Sequence, residues 1–362
     1  MSERELPAIV LPELGHNPLL TRVVVAPPGP GEARVQMRAS GLCHTDLAAV
    51  RDARATPVLL GHEGAGLVES VGDGVSHIRP GDHVVINWQV KCGRCRRCLS
   101  GRADLCEDIQ GTKEPRVRWN GSPLPVFLNA GTFCPLVVVP AMGAVPIRPD
   151  LPFELAALLG CAVATGVGAA LYTARVVAGE DVLVIGAGGV GLNVIQGAAL
   201  ANARLILSVD NNPARLATAR RCGATHTFDN SRGGLVEHVL SLTAGRGVEH
   251  AFEVVGQPAL MEQGLQCLAR GGALTIVGAA ARDADFCFRP RRFMSQQQTI
   301  QGCIYGSIRS GLDLPMFADW HLAGRLKLNE IPTEPVRLEE VPGIFDGSRP
   351  TSALRPLVVF EA

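Results

Sequence analysis

The sequence lacks a net charge, since its 34 Lys and Arg residues equal its 34 Asp and Glu residues. A dedicated nucleic-acid-binding protein usually shows a basic face and a high isoelectric point, so this balance argues against that class. Charged residues make up 19% and hydrophobic residues 47% of the 362 positions, which is enough apolar material for large cores and unlike a disordered acidic chain. The length predicts about two domains.

The sequence also lacks the usual targeting patterns. Its first residues, MSERELPAIV, contain no basic start followed by an apolar run, so we expect no secretory signal. No stretch of roughly 18 or more apolar residues is free of charge or repeated glycine, so we expect no membrane span. The cytoplasm is therefore the expected location. In a reducing compartment, spaced cysteines hold metal more often than they form disulfides.

Two textures divide the chain. Up to about residue 155, short β-branched runs alternate with Gly and Pro turns, which predicts a small β-rich domain. After that, strands and helices alternate, and this order predicts a doubly wound parallel sheet in an α/β domain. Residues 303–362 return to a mixed texture. The expected strands of the second part are 181–185, 205–209, 250–254 and 274–277, and the expected helices are 152–171, 190–201 and 213–222.

A glycine-rich motif marks a candidate dinucleotide site. The segment VLVIGAGGVG, residues 182–191, places G-x-G-x-x-G after an apolar strand and at the start of a helix. Gly186 makes the tight turn, Gly188 admits a pyrophosphate, Gly189 belongs to the same loop, and Gly191 lets the helix pack on the strand. Asp210 ends the next strand, where a carboxylate accepts hydrogen bonds from ribose hydroxyls and repels a 2′-phosphate. The pattern favours NAD over NADP; a plain turn with Asp210 as a helix cap is the alternative.

Four cysteines form a second pattern, C-x2-C-x2-C-x7-C, in a lobe at about residues 90–108. Four thiolates in one short loop can surround a tetrahedral ion, and such a site leaves no vacancy for substrate, so it would be structural. Softness and geometry favour zinc, although an iron–sulfur cluster also takes four cysteines, and unbound thiols are the plain alternative. We expect basic neighbours to offset the negative charge. The cysteines are Cys92, Cys95, Cys98 and Cys106, and the basic residues are Lys91, Arg94, Arg96 and Arg97.

Three further candidate ligands lie far apart in the sequence: Cys43 in GLCHTD, His62 in LLGHEGAG and Cys161 in LLGCAVATG. Spacing alone cannot show that they meet. Taken singly, Cys161 in its Ala/Leu run is typical of a small core residue. His62 alone is equally typical of a loop histidine whose hydrogen bonds are satisfied.

Over essentially its whole length, the chain resembles the zinc-containing medium-chain alcohol dehydrogenases. The matching motifs occur in the family's order: G-x-C-H-T-D at 41–46, G-H-E-G-A-G at 61–66, the cysteine lobe, G-C-x-x-x-T-G at 160–166 and the dinucleotide motif. The resemblance implies a GroES-like catalytic domain (1–162), a Rossmann domain (163–302) and a C-terminal return to the first domain (303–362). It also implies two zinc ions per chain, NAD, and hydride transfer between an alcohol and the cofactor.

The resemblance assigns a role to each matching residue. Cys43, His62 and Cys161 would hold the catalytic zinc with an open fourth position, as alcohol dehydrogenases are known to do. Thr45 would hydrogen-bond the alcohol oxygen, Asp46 would orient His62, and Glu63 would lie beside the zinc. The implied cofactor contacts are His44 and Arg355 at the pyrophosphate, Arg215 near the adenosine ribose, and Thr165, Val190 and Tyr305 around the nicotinamide. The implied substrate-pocket residues are Trp88, Phe127, Leu128 and Ile304.

One departure from the family pattern and two similarities to different branches leave the substrate open. Many members carry a histidine three residues after the relay hydroxyl, where this chain has Ala48, so the last proton acceptor is missing. The pattern C-H-T-D-L-x-x-x-R-D is similar to the aryl-alcohol branch, whose members favour aromatic or bulky primary alcohols. The insertion at 112–133 is similar to the liver-type and glutathione-dependent formaldehyde branches, so a thiol-adduct dehydrogenase is an alternative. The same insertion indicates a homodimer, with a tetramer as the alternative.

Two other functions are alternatives to that of an alcohol dehydrogenase. A biosynthetic reductase acting on a carbonyl, iminium or conjugated alkene would tolerate loss of the relay histidine. A non-catalytic scaffold that binds zinc and NAD would require a broken site, whereas Cys43, Thr45, His62 and Cys161 are all in place. We expect a small-molecule substrate and neither nucleic-acid nor membrane partners. The remaining cysteines, Cys134, Cys222, Cys267, Cys287 and Cys303, are expected to be small buried residues.

Overall fold

The computed structural model describes residues 2–361, and the chain forms two compact units. The first contains the chain up to Cys161, Arg309–Gly324 and the chain from Pro332 onward. The second contains Ala162–Ile308 and Arg325–Ile331. The C-terminal return to the first unit therefore begins at Arg309, later than the predicted residue 303, and is interrupted by the short excursion at Arg325–Ile331.

Strands and helices alternate through both units. The strands, β1 to β18 in chain order, are Arg4–Leu11, Leu19–Val25, Glu32–Gly41, Val58–Leu59, Glu63–Val71, His83–Ile86, Val117–Trp119, Ser122–Pro123, Leu136–Pro140, Ala144–Pro146, Asp181–Ile185, Leu205–Asp210, His226–Asp229, Val248–Glu253, Leu268–Ile276, Thr299–Gly302, Thr333–Val336 and Arg355–Val359. The α-helices, α1 to α11, are His44–Asp52, Arg96–Leu99, Phe153–Leu158, Ala164–Gly168, Gly189–Leu200, Pro213–Cys222, Leu235–Leu242, Pro258–Gln266, Pro290–Gln296, Ser310–Leu322 and Val341–Phe345.

The first unit contains two sheets, which confirms the predicted β-rich domain. One sheet has the order β4-β1-β2-β7-β8, and the other has the order β10-β6-β5-β3-β18-β17, with β9 also paired to β3. Strand β3 is buried along most of its length, and the apolar core around it includes Ile9, Met37 and Phe133. Strands β3 and β5 form a long antiparallel pair, and two of the candidate metal ligands, Cys43 and His62, lie at its end.

The second unit is built on one parallel sheet with the order β13-β12-β11-β14-β15-β16, as the βαβαβ pattern predicted. The central strand β11 is fully buried, because helices cover both faces of such a sheet, and this explains its continuous apolar run. The edge strands β13 and β16 are half exposed and were not predicted from the sequence. Helix α6 ends where predicted, at Gly223, whose φ of +116° suits a residue without a Cβ.

A continuous helical run joins Phe153 to Thr173 and contains two π-helical turns, Leu159–Val163 and Ala169–Thr173. By length and composition alone this run could cross a membrane, but 78% of its most apolar window is buried inside the protein. Its apolar character is that of a core helix. The π turns matter for function, because such turns re-aim individual side chains.

Candidate active site

The antiparallel pairing of β3 with β5 brings the first two candidate ligands together. Gly41, the last residue of β3, lies opposite Glu63, the first residue of β5. Cys43 follows one strand and His62 precedes the other, so both lie at the same end of the sheet. The turn before His62 needs a glycine, because Gly61 has a φ of +93° and a Cβ there would lie 2.5 Å from the Phe133 nitrogen.

Cys161 joins them from the π-helical turn Leu159–Val163. The preceding Gly160 allows this turn to approach the sheet, since a Cβ there would lie 3.1 Å from the Ile86 oxygen. As a result, the two sulfur atoms and one ring nitrogen of Cys43, His62 and Cys161 all lie within 4.8 Å of one another, and all three residues are buried. The structure thus brings together the three residues that sequence spacing could not connect.

Asp46 organises this cluster from helix α1. Its Oδ1 lies 3.0 Å from Nδ1 of His62 and accepts a hydrogen bond from the Gly61 N–H at 3.2 Å. Its Oδ2 accepts from the Cys43 N–H at 3.0 Å. The carboxylate is fully buried, so these partners replace its hydration. With the proton on Nδ1, the other nitrogen of His62 presents a lone pair to the cluster.

Electrostatics favour an anionic sulfur on Cys43 and a protonated one on Cys161. A hydrogen bond from Cys161 and the nearby Arg355 guanidinium hold the pKa of Cys43 well below its usual value, against the opposing effect of burial. The pKa of Cys161 is raised, because it shares a proton with Cys43 and is buried. Burial lowers the pKa of His62, but the Asp46 carboxylate outweighs burial and raises it above the usual value.

Glu63 and Arg355 form a buried ion pair next to these ligands, with Arg355 Nε 3.3 Å from Glu63 Oε2. Arg355 begins β18, which pairs with β3 beside Gly41, and its guanidinium also reaches the Leu42 carbonyl at 3.5 Å. Burial opposes the charge of Arg355, but the Glu63 carboxylate outweighs burial and raises the pKa of Arg355 above its usual value. Contact of Arg355 with a cofactor pyrophosphate remains a prediction.

The residues fit a zinc ion. Two sulfur donors and one imidazole match the preference of zinc for soft and borderline ligands, and three protein ligands leave one position open. Among the described residues, Nε2 of His62 has no hydrogen-bond partner although it is buried. A buried imidazole nitrogen without a donor or acceptor is costly unless a metal takes its lone pair.

The cysteine lobe offers a second, four-sulfur site. The sulfur atoms of Cys92, Cys95, Cys98 and Cys106 lie within 4.8 Å of one another. Backbone N–H groups point at three of them: Cys92 N–H donates to Cys106, Cys95 N–H to Cys92 and Cys98 N–H to Cys95, at 3.3–3.5 Å. Backbone donors from Glu107 and Cys98 lower the pKa of Cys95 to about 6, whereas desolvation raises that of Cys98 to about 12. A tetrahedral zinc would stabilise all four thiolates.

The basic neighbours of this lobe also pair with its acidic residues, and the predicted charge compensation stays a prediction. Arg94 pairs with Asp108 at 3.0 Å and Arg96 with Glu107 at 2.9 Å, so these guanidinium groups hold the two sides of the lobe together. Burial lowers the pKa of Lys91, although the nearby Cys106 and Cys98 oppose this shift. The arginines are thus shared between the lobe sulfurs and the acidic residues that follow Cys106.

Two aromatic side chains stand beside the cluster. The rings of Trp88 and Phe127 meet the His62 ring nearly edge-on, with centroids 6.4 Å and 5.8 Å away and interplanar angles of 89° and 75°. Leu128 is half buried and has a φ of +48°. Thr45 lies 3.6 Å from the Cys43 sulfur through its hydroxyl. Ile304, the fourth predicted pocket residue, belongs to the second unit and is 58% exposed.

The insertion at 112–133 is anchored by contacts that no sequence pattern predicts. It forms the hairpin β7–β8, which pairs with β2, and Trp119 Nε1 donates to the Thr21 hydroxyl at 3.2 Å. Arg116 lies 2.6 Å from the buried carboxylate of Glu32, which also accepts from the Gly29 and Lys113 N–H groups. The insertion is therefore fixed, and Phe127 with it.

In the second unit, the glycine-rich loop has the geometry expected for a dinucleotide site. Gly186 has a φ of +105°. A Cβ on Gly191 would lie 1.9 Å from the Gly186 oxygen, so this glycine permits close packing. A Cβ on Gly188 would meet no atom of the described chain within 4 Å, which leaves room for a phosphate group. Helix α5 begins at Gly189 and directs its free N–H groups at this space.

Asp210 closes the loop and faces a cavity. Its Oδ2 accepts from the Ala187 N–H at 2.8 Å, its Oδ1 accepts from the Asn212 N–H at 2.9 Å, and Arg215 lies 3.8 Å away. The cavity has a volume of about 310 Å³, a suitable size for an adenosine. Its lining adds residues that sequence reasoning missed, because they come from separate loops: Asn211, Asn230, Ser231, Val255, Gln257 and Leu260.

The three residues assigned to the nicotinamide also come together. Thr165 lies on α4, and a Cβ at the next residue, Gly166, would be 2.4 Å from the Val190 oxygen on α5. A Cβ at Gly168 would be 2.4 Å from the oxygen of Gly306, which follows Tyr305. Their contact with a nicotinamide remains a prediction, as does that of the exposed His44 with the pyrophosphate.

The cysteines outside the two sites mostly behave as predicted. Cys134, Cys222 and Cys267 are buried, and burial raises the pKa of each, to about 12, 11 and 12. Cys303 is half buried. The expectation is wrong for Cys287, which is exposed, because it lies in a loop between β15 and α9 rather than in a core element.

A β domain with two cysteine-based metal sites, combined with a dinucleotide-binding sheet, defines a metal-dependent dehydrogenase. Two family models match: the alcohol dehydrogenase GroES-like domain over residues 29–149 and the zinc-binding dehydrogenase domain over residues 189–320. The class-3 alcohol dehydrogenase of Cereibacter sphaeroides is 34% identical, with 98% of this chain and 99% of that protein covered. A probable S-(hydroxymethyl)glutathione dehydrogenase 1 of Schizosaccharomyces pombe is 36% identical, with 93% and 92% covered.

Solved structures agree. An alcohol dehydrogenase zinc-binding domain protein from Burkholderia ambifaria has a TM-score of 0.92 at 29% identity over 100% of both chains. Benzyl alcohol dehydrogenase from Acinetobacter calcoaceticus has a TM-score of 0.91 at 26% identity over 99% of this chain and 100% of that one. The chain belongs to the zinc-containing medium-chain alcohol dehydrogenases, and it is an NAD-linked oxidoreductase acting on the CH–OH group of alcohols.

Proposed function

We propose that this alcohol dehydrogenase acts on bulky or aromatic primary alcohols. The observation that carries the proposal is the pair of aromatic rings, Trp88 and Phe127, beside His62. A substrate whose oxygen is held next to His62 would meet aromatic carbon from two side chains, and an aromatic group gains most from such contacts. The similarity to a benzyl alcohol dehydrogenase supports the same conclusion.

The chain's own residues have distinct tasks in this reaction. Zinc, when bound, polarises the alcohol oxygen, and NAD accepts the hydride. Cys43, His62 and Cys161 would hold that metal, and Asp46 fixes the tautomer and orientation of His62. The Thr45 hydroxyl would take the alcohol proton and pass it to water, because Ala48 offers no acceptor.

A substrate panel tests the proposal. NADH formation is followed with benzyl alcohol and ethanol for the wild type, Phe127→Leu and Phe288→Leu. Phe127→Leu loses an aromatic contact worth about 0.5–1.5 kcal/mol. The kcat/KM for benzyl alcohol divided by that for ethanol should therefore fall by roughly 2- to 10-fold. Phe288→Leu is the matched control, since it makes the same change at a phenylalanine that is 43% exposed and lies in the second unit. Its ratio should stay unchanged.

Two outcomes would contradict the proposal. Equal kcat/KM values for ethanol and benzyl alcohol in the wild type would show that Trp88 and Phe127 do not favour an aromatic substrate. Absence of turnover with every alcohol and aldehyde tested, despite bound zinc and NAD, would favour a specialised reductase of a carbonyl, iminium or conjugated alkene.

A thiol adduct of formaldehyde is the second candidate substrate, because relatives at 32–36% identity are named S-(hydroxymethyl)glutathione dehydrogenases. A glutathione adduct carries carboxylates that need cations. Of the three cations in the insertion, Arg116 is already paired with the buried carboxylate of Glu32, which leaves Lys113 and Arg118 for this role. Formaldehyde oxidation that requires added glutathione and exceeds the rate with benzyl alcohol would reverse the ranking.

We also propose that the enzyme is a homodimer located in the cytoplasm. The half-exposed edge strand β16 offers backbone donors and acceptors to a second copy, which supports a dimer. The thiolate-rich zinc lobe supports a reducing compartment. Light scattering on the purified protein tests the first proposal, with a monomer mass as the contradicting result, and cell fractionation tests the second, with recovery outside the cytoplasmic fraction as the contradicting result.

A further inference from the structure

Three consecutive residues after β16 adopt the left-handed backbone conformation. The φ angles of Tyr305, Gly306 and Ser307 are +52°, +65° and +54°. Residues with a Cβ rarely adopt this conformation and keep it only where the surroundings enforce it. Tyr305 and Ser307 both carry a Cβ, so the segment Cys303–Ser307, here called the left-handed loop, must be held from outside.

One restraint on the left-handed loop is its close packing against a helix. A Cβ at Gly168 would lie 2.4 Å from the Gly306 oxygen, and a Cβ at Gly306 would lie 2.2 Å from the Ala164 oxygen. The left-handed loop therefore rests directly on the backbone of α4. Close packing of this kind fixes how near the loop lies, but it cannot by itself choose the backbone conformation of Ser307.

The second restraint is the hydroxyl of Thr173. Its Oγ1 lies 2.9 Å from the Ser307 Oγ and 3.3 Å from the Cys303 Sγ. Thr173 donates to the sulfur, which leaves its oxygen free to accept from the Ser307 hydroxyl. One side chain thus ties the first residue of the left-handed loop to the last. The Thr173 carbonyl also accepts from Gln301 on β16, at 3.5 Å.

The position of this tie connects it to the cofactor. The left-handed loop carries Tyr305, and α4 carries Thr165, the two residues placed at the nicotinamide by the family resemblance. The pyrophosphate and adenosine would be bound by different elements, the loop Gly186–Gly191 and the cavity beside Asp210. We infer that Thr173 is a positioning residue for the nicotinamide end of NAD, acting by tying the left-handed loop to the π-helical turn Ala169–Thr173, which continues α4. The inference rests on the proposed placement of the nicotinamide.

Calorimetric titration with two ligands tests this inference. The zinc-loaded wild type, Thr173→Val and Thr173→Ser are titrated with NADH and with ADP-ribose, which lacks the nicotinamide. Thr173→Val keeps the shape of the side chain and removes the hydroxyl. We expect its Kd for NADH to rise roughly tenfold, equivalent to about 1.4 kcal/mol, and its Kd for ADP-ribose to stay unchanged. Thr173→Ser keeps the hydroxyl and should bind both ligands as the wild type does.

The two ligands separate the inference from a general structural effect and from the cofactor assignment. Equal weakening of NADH and ADP-ribose, or no change in either, would overturn the positioning role. If wild-type protein bound NADH no more tightly than ADP-ribose, the nicotinamide would gain no binding energy from the left-handed loop, and the positioning role would be overturned as well. Should Thr173→Val fail to fold, Ser307→Ala replaces it, because that variant loses the 2.9 Å bond and is expected to weaken NADH alone.

Discussion

Asp46→Asn is the most informative single change at the catalytic metal site. The two carboxylate oxygens of Asp46 face three nitrogen atoms: Nδ1 of His62 and the backbone N–H groups of Gly61 and Cys43. An asparagine has one acceptor and one donor end. If its oxygen faces His62 and Gly61, its NH2 group meets the Cys43 N–H; in the opposite orientation, its NH2 group meets the Gly61 N–H and Nδ1 of His62.

The second orientation also moves the histidine proton. Nδ1 of His62 would accept from the asparagine, and the proton would then sit on Nε2, the atom that must bind the metal. Each outcome removes at least one hydrogen bond to a charged group, worth about 1.5–3 kcal/mol. Changes of this kind next to metal ligands typically reduce metal affinity or activity by about 10- to 100-fold. We expect a loss of that size in both quantities for Asp46→Asn.

Two assays measure the effect. Zinc affinity is measured by competition with a chromophoric chelator, and kcat/KM by NADH formation with benzyl alcohol. Asp150→Asn is the matched control, because Asp150 is an exposed aspartate that pairs with Arg148 at 2.7 Å. Wild-type zinc affinity together with wild-type kcat/KM in a folded Asp46→Asn protein would refute the assigned role of Asp46.

Four further predictions concern other parts of the molecule. Cys98→Ser should lose the lobe zinc and lower the Tm, and native mass spectrometry would show one zinc ion fewer per chain. Asp210→Ser should raise the KM for NAD roughly tenfold and narrow the preference over NADP, as measured by steady-state kinetics. Gly166→Ala should destabilise the fold by about 1–3 kcal/mol in urea unfolding, since its Cβ would lie 2.4 Å from a carbonyl oxygen of α5. Because burial raises the pKa of Cys134 to about 12, alkylation at pH 8 should label the exposed Cys287 and leave Cys134 thiol-protonated and unlabelled, as read by peptide mass mapping.

The Rossmann half of the fold was predictable because its signals are local. The apolar run at Asp181–Ile185 and the helix Pro213–Cys222 with its terminal glycine coincide with the observed elements. The edge strands β13, with the sequence HTFD, and β16, with TIQG, were missed. They are partly exposed, so their sequences carry no continuous apolar run, and pairing with a neighbouring strand forms them.

The two candidate metal sites also differ in how far local sequence predicts them. The lobe was evident from spacing, because its four sulfurs come from one short segment. The catalytic ligands come from the end of β3, the start of β5 and a π-helical turn, and only the resemblance to a family connected them before the structure was known. The contact of Glu32 with Arg116, which are 84 residues apart, had no sequence signal at all.

The buried charges of the catalytic site determine what it can bind. The thiolates of Cys43 and Cys161 and the carboxylates of Asp46 and Glu63 are four potential anions, and Arg355 supplies one positive charge against them. When both thiols are ionised, the net charge is minus three, which is unfavourable because burial removes the hydration of the charged groups. A divalent cation would reduce that net charge to minus one, whereas a monovalent cation would leave minus two. This charge balance and the sulfur donors together favour a divalent metal such as zinc at this site.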